Sequence, residues 1–279
     1  MANLPRSRAA LSIATFDDAL VEKQSTCDLS RLAFIDAYGL VGTACALESA
    51  NADAWVPLVL PSTEKARTHL ATMGFGEFLT TIGRQVDLPA SPPNPPDDIV
   101  VGLRATADSG SAQTLSNLLW EQLRDHVSPQ VLHAIGEGVW EMVANALEHA
   151  GTNAIIMGQV YRAPRGTPPE HDNRVQVVIG DTGRGIRDSF LASGSHAPGS
   201  DIEAINLALE YLVTSVADPG RGQGLSTTMD LVVETQGRMV VRSGTGRVTI
   251  TEAGRTDAKV PFLPGVMVAL SLPLYPGYT

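Results

Sequence analysis

The stretch Leu88-Pro-Ala-Ser-Pro-Pro-Asn-Pro-Pro-Asp-Asp98 constrains the fold of this chain more than any other. Proline fixes φ and lacks an amide hydrogen, so this run can be neither a helix nor a central strand. It predicts a stiff, extended linker over residues 87–98, dividing the chain into units at 1–86 and 99–279. A long surface loop within one domain is the alternative. The full length of 279 residues accommodates either one large domain or two smaller ones. No fixed-period repeat is present.

Hydrophobic residues make up 43% of the chain and charged residues 18%, enough apolar material for a real core. The formal net charge is -10. Nucleic acid and anionic membranes both attract a positive footprint, so this balance argues against either as a partner. Aromatic residues, at 5%, are too few for a base-stacking platform. The two cysteines, Cys27 and Cys45, form no C-x-x-C pair, which fits a reduced, cytoplasmic protein. The apolar stretch 9–14 is too short for a signal peptide, and no run is long enough for a membrane span.

Before the linker, residues 26–33 predict a strand and the apolar residues 39–49 a helix packed on a sheet. Residues 55–60 are brief and rich in Val and Leu, as a buried strand is. Ser62 predicts the cap of a helix over 65–73, with Gly74 as its stop. After the linker, strands are expected at 99–106, 153–161, 174–180, 238–243, 247–251 and 266–273. Helices are expected at 111–126, 129–150, 201–213 and 226–235. Helices early and hairpin-like strands late point to an α+β fold with helices on one face of a mostly antiparallel sheet.

The helix over 129–150 has two faces. Leu132, Ile135, Val139, Met142, Val143 and Ala146 share the apolar one. Glu141, Asn145 and His149 recur at i, i+4 and i+8 on the other. A solvated face would also look like this. An Asn and a Glu one turn apart can, however, hold a Mg²⁺ ion, which prefers oxygen ligands, and orient a water beside it.

Two glycine loops follow. Gly180-Asp181-Thr182-Gly183-Arg184-Gly185-Ile186 ends an apolar strand with a carboxylate at the lip of the sheet. Its glycines allow a ligand close to the backbone. An ionised Asp only accepts hydrogen bonds, and a purine amine is a suitable donor. A tight turn with a local Asp bond is the alternative. Gly220-Arg221-Gly222-Gln223-Gly224-Leu225-Ser226 opens into a helix. Free amides at such a helix start suit an anion, and Arg221 can add charge toward a phosphate. The loop is neither a Walker A sequence nor a dinucleotide fingerprint.

Together these features resemble the histidine-kinase-like ATPase superfamily, the Bergerat fold shared by gyrase, Hsp90, MutL and sensor kinases. Within it they look most like the anti-sigma-factor serine kinases. The asparagine box of that branch, Glu-x-x-x-Asn-Ala-x-x-His, matches Glu141, Asn145, Ala146 and His149. Asp181, Gly183 and Gly185, followed by Ile186, match the next box. Arg221, Gly222, Gly224 and Leu225, followed by Ser226, resemble the glycine lid. The resemblance covers most of 99–279 and implies a two-layer α/β sandwich there.

It also implies roles. Asn145 would ligate Mg²⁺ between ATP phosphates, and Glu141 would be the general base or orient the attacking water or hydroxyl. Asp181 would accept from the adenine amine, with Gly183 and Gly185 shaping that pocket. Gly222, Gly224 and Leu225 would form the mobile lid. The family often has Gly-Thr before its last strand, whereas Gly265 here precedes Val266. No helix bearing a phosphoacceptor histidine is found, which argues against a self-phosphorylating kinase.

Residues 28–40 resemble, more weakly, a STAS domain, the fold of anti-sigma antagonists. Ala37 and Tyr38 stand where those antagonists carry Ser-Ser/Thr, so the usual phosphorylated hydroxyl is absent. A docking or dimerising element is then implied, with a generic small α/β domain as the alternative. The expectation is therefore a small STAS-like α/β domain followed by a Bergerat ATP-binding domain. With ATP and Mg²⁺, it would hydrolyse ATP or phosphorylate a partner protein, a regulator or antagonist, on Ser/Thr, and a homodimer is compatible with this. The alternative is an ATP-gated adaptor with little or no catalysis.

Overall fold

The largely apolar run 175–179 lies in the middle strand of a five-stranded antiparallel sheet. The computed structural model describes residues 3–22, 24–53, 56–91, 98–106, 109–147, 152–162, 173–210 and 224–274. The N-terminal part contains short strands β1 (Leu4–Pro5), β2 (Ala10–Leu11), β3 (Leu20–Val21), β4 (Cys27–Asp28), β5 (Phe34–Ile35) and β6 (Leu58–Val59). Its helices are α1 (Phe16–Ala19), α2 (Ala37–Asp53), α3 (Glu64–Thr72) and α4 (Phe75–Thr81). Then come β7 (Ile99–Thr106), α5 (Ser109–Leu123), α6 (Pro129–Asn145), β8 (Ala154–Tyr161) and β9 (Arg174–Gly180). The helices α7 (Gly185–Ser193), α8 (Asp201–Ala208) and α9 (Gly224–Glu234) precede a long hairpin, β10 (Arg238–Thr251) and β11 (Gly254–Pro273).

The sheet order is β10-β11-β9-β8-β7, every neighbour antiparallel. Because side chains alternate across a strand, β9 serves two cores. Val175, Val177 and Ile179 join the core beneath α5, α6, α8 and α9. Val178 joins a second core on the opposite face with Ile155, Met157, Met267 and Ala269. Burial on both faces explains why β9 is apolar from 175 to 179 apart from the buried Gln176.

The sheet and its helices supply two layers, and the N-terminal segment supplies a third. Residues 37–47 of α2 are buried throughout, as expected of a helix apolar on all sides. It packs across β8, β9 and β11. The Tyr161 hydroxyl of β8 accepts from the Ala37 amide at the start of α2 (2.9 Å) and donates to Gln159 (2.9 Å). A second tie is ionic. Asp17 of α1 pairs with Arg242 of β10 at 2.9 Å and also with Arg247, while Arg242 donates to the Pro261 carbonyl. Both Asp17 and Arg242 are buried.

Several local expectations need correction. The strand over 26–33 shortens to β4, because the Asp28 carboxylate accepts from the Ser30 amide (2.9 Å) and turns the chain. The strand over 55–60 reduces to Leu58–Val59, and the described N-terminal strands pair two by two instead of forming one sheet. Thr63, not Ser62, caps α3 by accepting from the Ala66 amide; Ser62 bonds to the Ser30 carbonyl instead. The predicted break at 244–246 is a register shift inside a continuous β10. Residues 92–97 of the proline run lie outside the described residues.

Candidate functional site

Helix α6 starts where the sequence predicts. The Ser128 hydroxyl accepts from the Val131 amide at 3.2 Å and Pro129 occupies the first turn. Its apolar face, including Leu132, Ile135, Val139, Met142 and Val143, is buried against the sheet. That leaves Glu141 and Asn145 half-buried on the flank. The Asn145 amide nitrogen donates to Glu141 Oε1 at 3.2 Å. This bond orients the Asn145 side chain, and its Oδ1 accepts from no described residue. The helix loosens into a π-type turn at 146–147, a widening often found at functional positions. His149 lies outside the described residues.

Asp181 continues the ladder one step past β9, its amide donating to the Val266 carbonyl at 2.9 Å. Its side chain bonds to its own loop and to β11, and its acidic neighbour, Glu48, sits on α2. Asp181 Oδ1 accepts from the Gly183 amide (2.8 Å) and the Val266 amide (3.3 Å). Oδ2 accepts from no described residue. The side chain is only 8% exposed. Burial pushes its pKa up to about 6; the two amides oppose that shift, and the nearby Glu48 carboxylate reinforces it.

The loop after Asp181 is held from several sides. Gly185 has φ 81°, in the left-handed region, and begins α7, a short helix that the sequence reading did not foresee. The Ile186 amide donates to Ser243 Oγ (3.0 Å), which in turn donates to the Gly265 carbonyl (3.1 Å). Gly265 has φ 77°, and a Cβ there would overlap the Asp181 carbonyl. The Val266 amide binds the Asp181 carboxylate directly.

The structure therefore gathers Asp181, Gly183, Gly185 and Ile186 in one loop, and Glu141 with Asn145 on one helical turn. Helix α6 crosses β9 and β11, the two strands that supply Asp181 and Val266. Gly224 opens α9, Leu225 packs on the helix-side core, and Ser226 is buried. Arg221 and Gly222 lie outside the described residues. Ser243 and Glu48 were missed. Glu48 could have been noticed as the lone acid in the apolar stretch 39–49. Ser243 carries no sequence signal.

No group of three or more His, Cys, Asp or Glu side chains suited to a metal occurs among the described residues. The donor set offered to a cation is instead the neutral Asn145 amide oxygen beside Glu141, which suits an ion that keeps most of its waters. Both cysteines are free and buried, and burial raises both thiols, Cys27 to about 12, so neither is poised as a nucleophile. Among the described residues no helix is long and apolar enough to cross a membrane. No protein-family model matches the chain, and neither does any curated protein.

Proposed function

We propose that this chain binds ATP with Mg²⁺ and uses it to hydrolyse the terminal phosphate or to phosphorylate a partner protein on Ser/Thr, in the manner of the anti-sigma-factor kinases it resembles. The observation that carries this reading is the buried Asp181, held by two backbone amides and with Oδ2 left to accept from an adenine amine. Asn145 Oδ1 would hold Mg²⁺ together with waters; when bound, the ion supplies positive charge against the phosphates. Glu141 would take the proton from an attacking water or hydroxyl. Its bond to Asn145 keeps it beside the place where that oxygen would sit. The Gly224 helix start would place free amides toward the phosphates. We place the protein in the cytoplasm on its cysteine usage.

Titration calorimetry with ATP and Mg²⁺, followed by a phosphate-release assay, tests this. Wild-type protein that gives no binding heat overturns the reading. Glu141→Ala is expected to retain ATP binding and to lose about 10²–10⁴-fold in turnover. A second reading, an ATP-gated adaptor, draws support from the buried Asp17–Arg242 clasp between the N-terminal segment and the sheet. Binding without turnover, with partner affinity changing on addition of ATP, would favour it.

A further inference from the structure

The loop that carries Asp181 is touched from the side of the sheet opposite α6. Glu48 projects from α2 near the end of β9. Its Oε2 accepts from the Thr182 hydroxyl at 3.4 Å and its Oε1 from the Asn153 side-chain Nδ2 at 3.4 Å. These bonds are long, but they converge on one carboxylate that burial has raised above its ordinary pKa. Cys45, one turn earlier, packs under Gly180: a Cβ there would come within 2.8 Å of the Cys45 sulfur. Side chains of α2, Cys45 and Val41, therefore fill the space that a side chain at Gly180 would need. Thr182 is the residue between Asp181 and Gly183, so a group that fixes its side chain also fixes the amide–carboxylate bond of the loop.

We propose that Glu48 is a positioning residue for the Asp181–Gly185 loop, holding Thr182 from the far face of the sheet and making the N-terminal segment part of the nucleotide site. The consequence for ATP rests on the purine reading of that loop; the positioning itself does not. Anything that displaces α2 would loosen the loop, and a nucleotide that orders the loop would hold α2 in return, since such coupling is reciprocal. Glu48 is also the charged group of α2 that acts on Asp181. The Cys45 thiol beside it stays neutral, and the other influences on Asp181 are its burial and the Gly183 and Val266 amides.

The test begins without nucleotide. Hydrogen exchange of the amides at 182–186 is measured in the full-length wild type, Glu48→Ala, Glu48→Gln and Thr182→Val. Glu48→Ala and Thr182→Val are expected to exchange several-fold faster, while Glu48→Gln, which keeps an acceptor for Thr182, stays near wild type. Unchanged exchange in both Glu48→Ala and Thr182→Val overturns the proposal. Should Glu48→Ala fail to fold, Thr182→Val decides alone. Calorimetry with ADP and Mg²⁺ is then expected to show about five- to tenfold weaker binding for Glu48→Ala. Across a pH series, Glu48→Gln should move the midpoint of ADP binding to lower pH, because removing a negative neighbour lowers the Asp181 pKa. A Glu48 that acted only through its charge would shift that midpoint but leave the exchange of 182–186 unchanged in Glu48→Ala. Wild type that exchanges as expected but binds no ADP would overturn the purine reading and leave the positioning role standing.

Discussion

Under the proposed reading, the Asp181 carboxylate that would bind the nucleotide is also a buried charge that the fold must carry. Its folded pKa of about 6 lies above the ordinary value of 3.8. The folded state therefore binds more protons than the unfolded state between those values, and this residue's contribution to stability falls as pH rises through that window. At neutral pH the buried charge is a net cost, offset only in part by two amides. Asp181→Asn keeps an acceptor for Gly183 and Val266 and removes the charge. It is expected to be more stable than wild type at pH 7 by about 1–2 kcal/mol and indistinguishable at pH 4, by urea denaturation at each pH. The same variant should lose ATP binding, since its outer atom becomes a donor facing the adenine amine. Wild-type ATP binding should likewise weaken as pH falls through 6. Loss of binding without a gain in stability would mean that the carboxylate is solvated in solution.

At the scale of elements, what the sequence disclosed depended on how each element closes its hydrogen bonds. Helix α6 was legible because its cap, its proline and its apolar period agree, and β9 because two-sided burial fills it with Val and Ile around a single Gln176. Helix α7 was hidden because it starts on a glycine in left-handed backbone and has no capping side chain. The N-terminal strands were overdrawn because pairs of two residues leave no periodic trace. The β10–β11 hairpin was read as broken at 244–246. The register in fact slips there, pairing Ser243 with Val266 and then Gly244 with Leu263, so two residues of β11 bulge out. Gly265 is one of them. Gly265→Ala combines a left-handed φ with overlap on the Asp181 carbonyl. It is expected to lose about 3 kcal/mol or more in urea denaturation, and ATP binding with it. A variant of wild-type stability would mean that the bulge relaxes freely.

Across the whole molecule, the partners in the site and in the clasp lie far apart in sequence. Glu48 and Thr182 are 134 positions apart, and Asp17 and Arg242 are 225 apart. No local pattern announces such pairs; only the sheet brings them together. The clasp is buried, so removing one partner strands the other. Asp17→Ala is expected to cost about 3–5 kcal/mol, whereas Asp17→Asn with Arg242→Met recovers a good part of that loss. Urea denaturation of the single and double variants reads the coupling directly. Equal losses in the two would place the clasp in water.

The second core draws Leu4, Phe16, Val41 and Cys45 together with Ile155, Val178, Met267 and Ala269 into one continuous apolar interior. Severing the peptide backbone within 87–98 should then leave a nicked particle whose two pieces elute together on gel filtration and melt as one. Expressing the C-terminal piece alone should instead strip the sheet bare and yield insoluble protein. The proline run would mark a join in the polymer and not a joint in the machine.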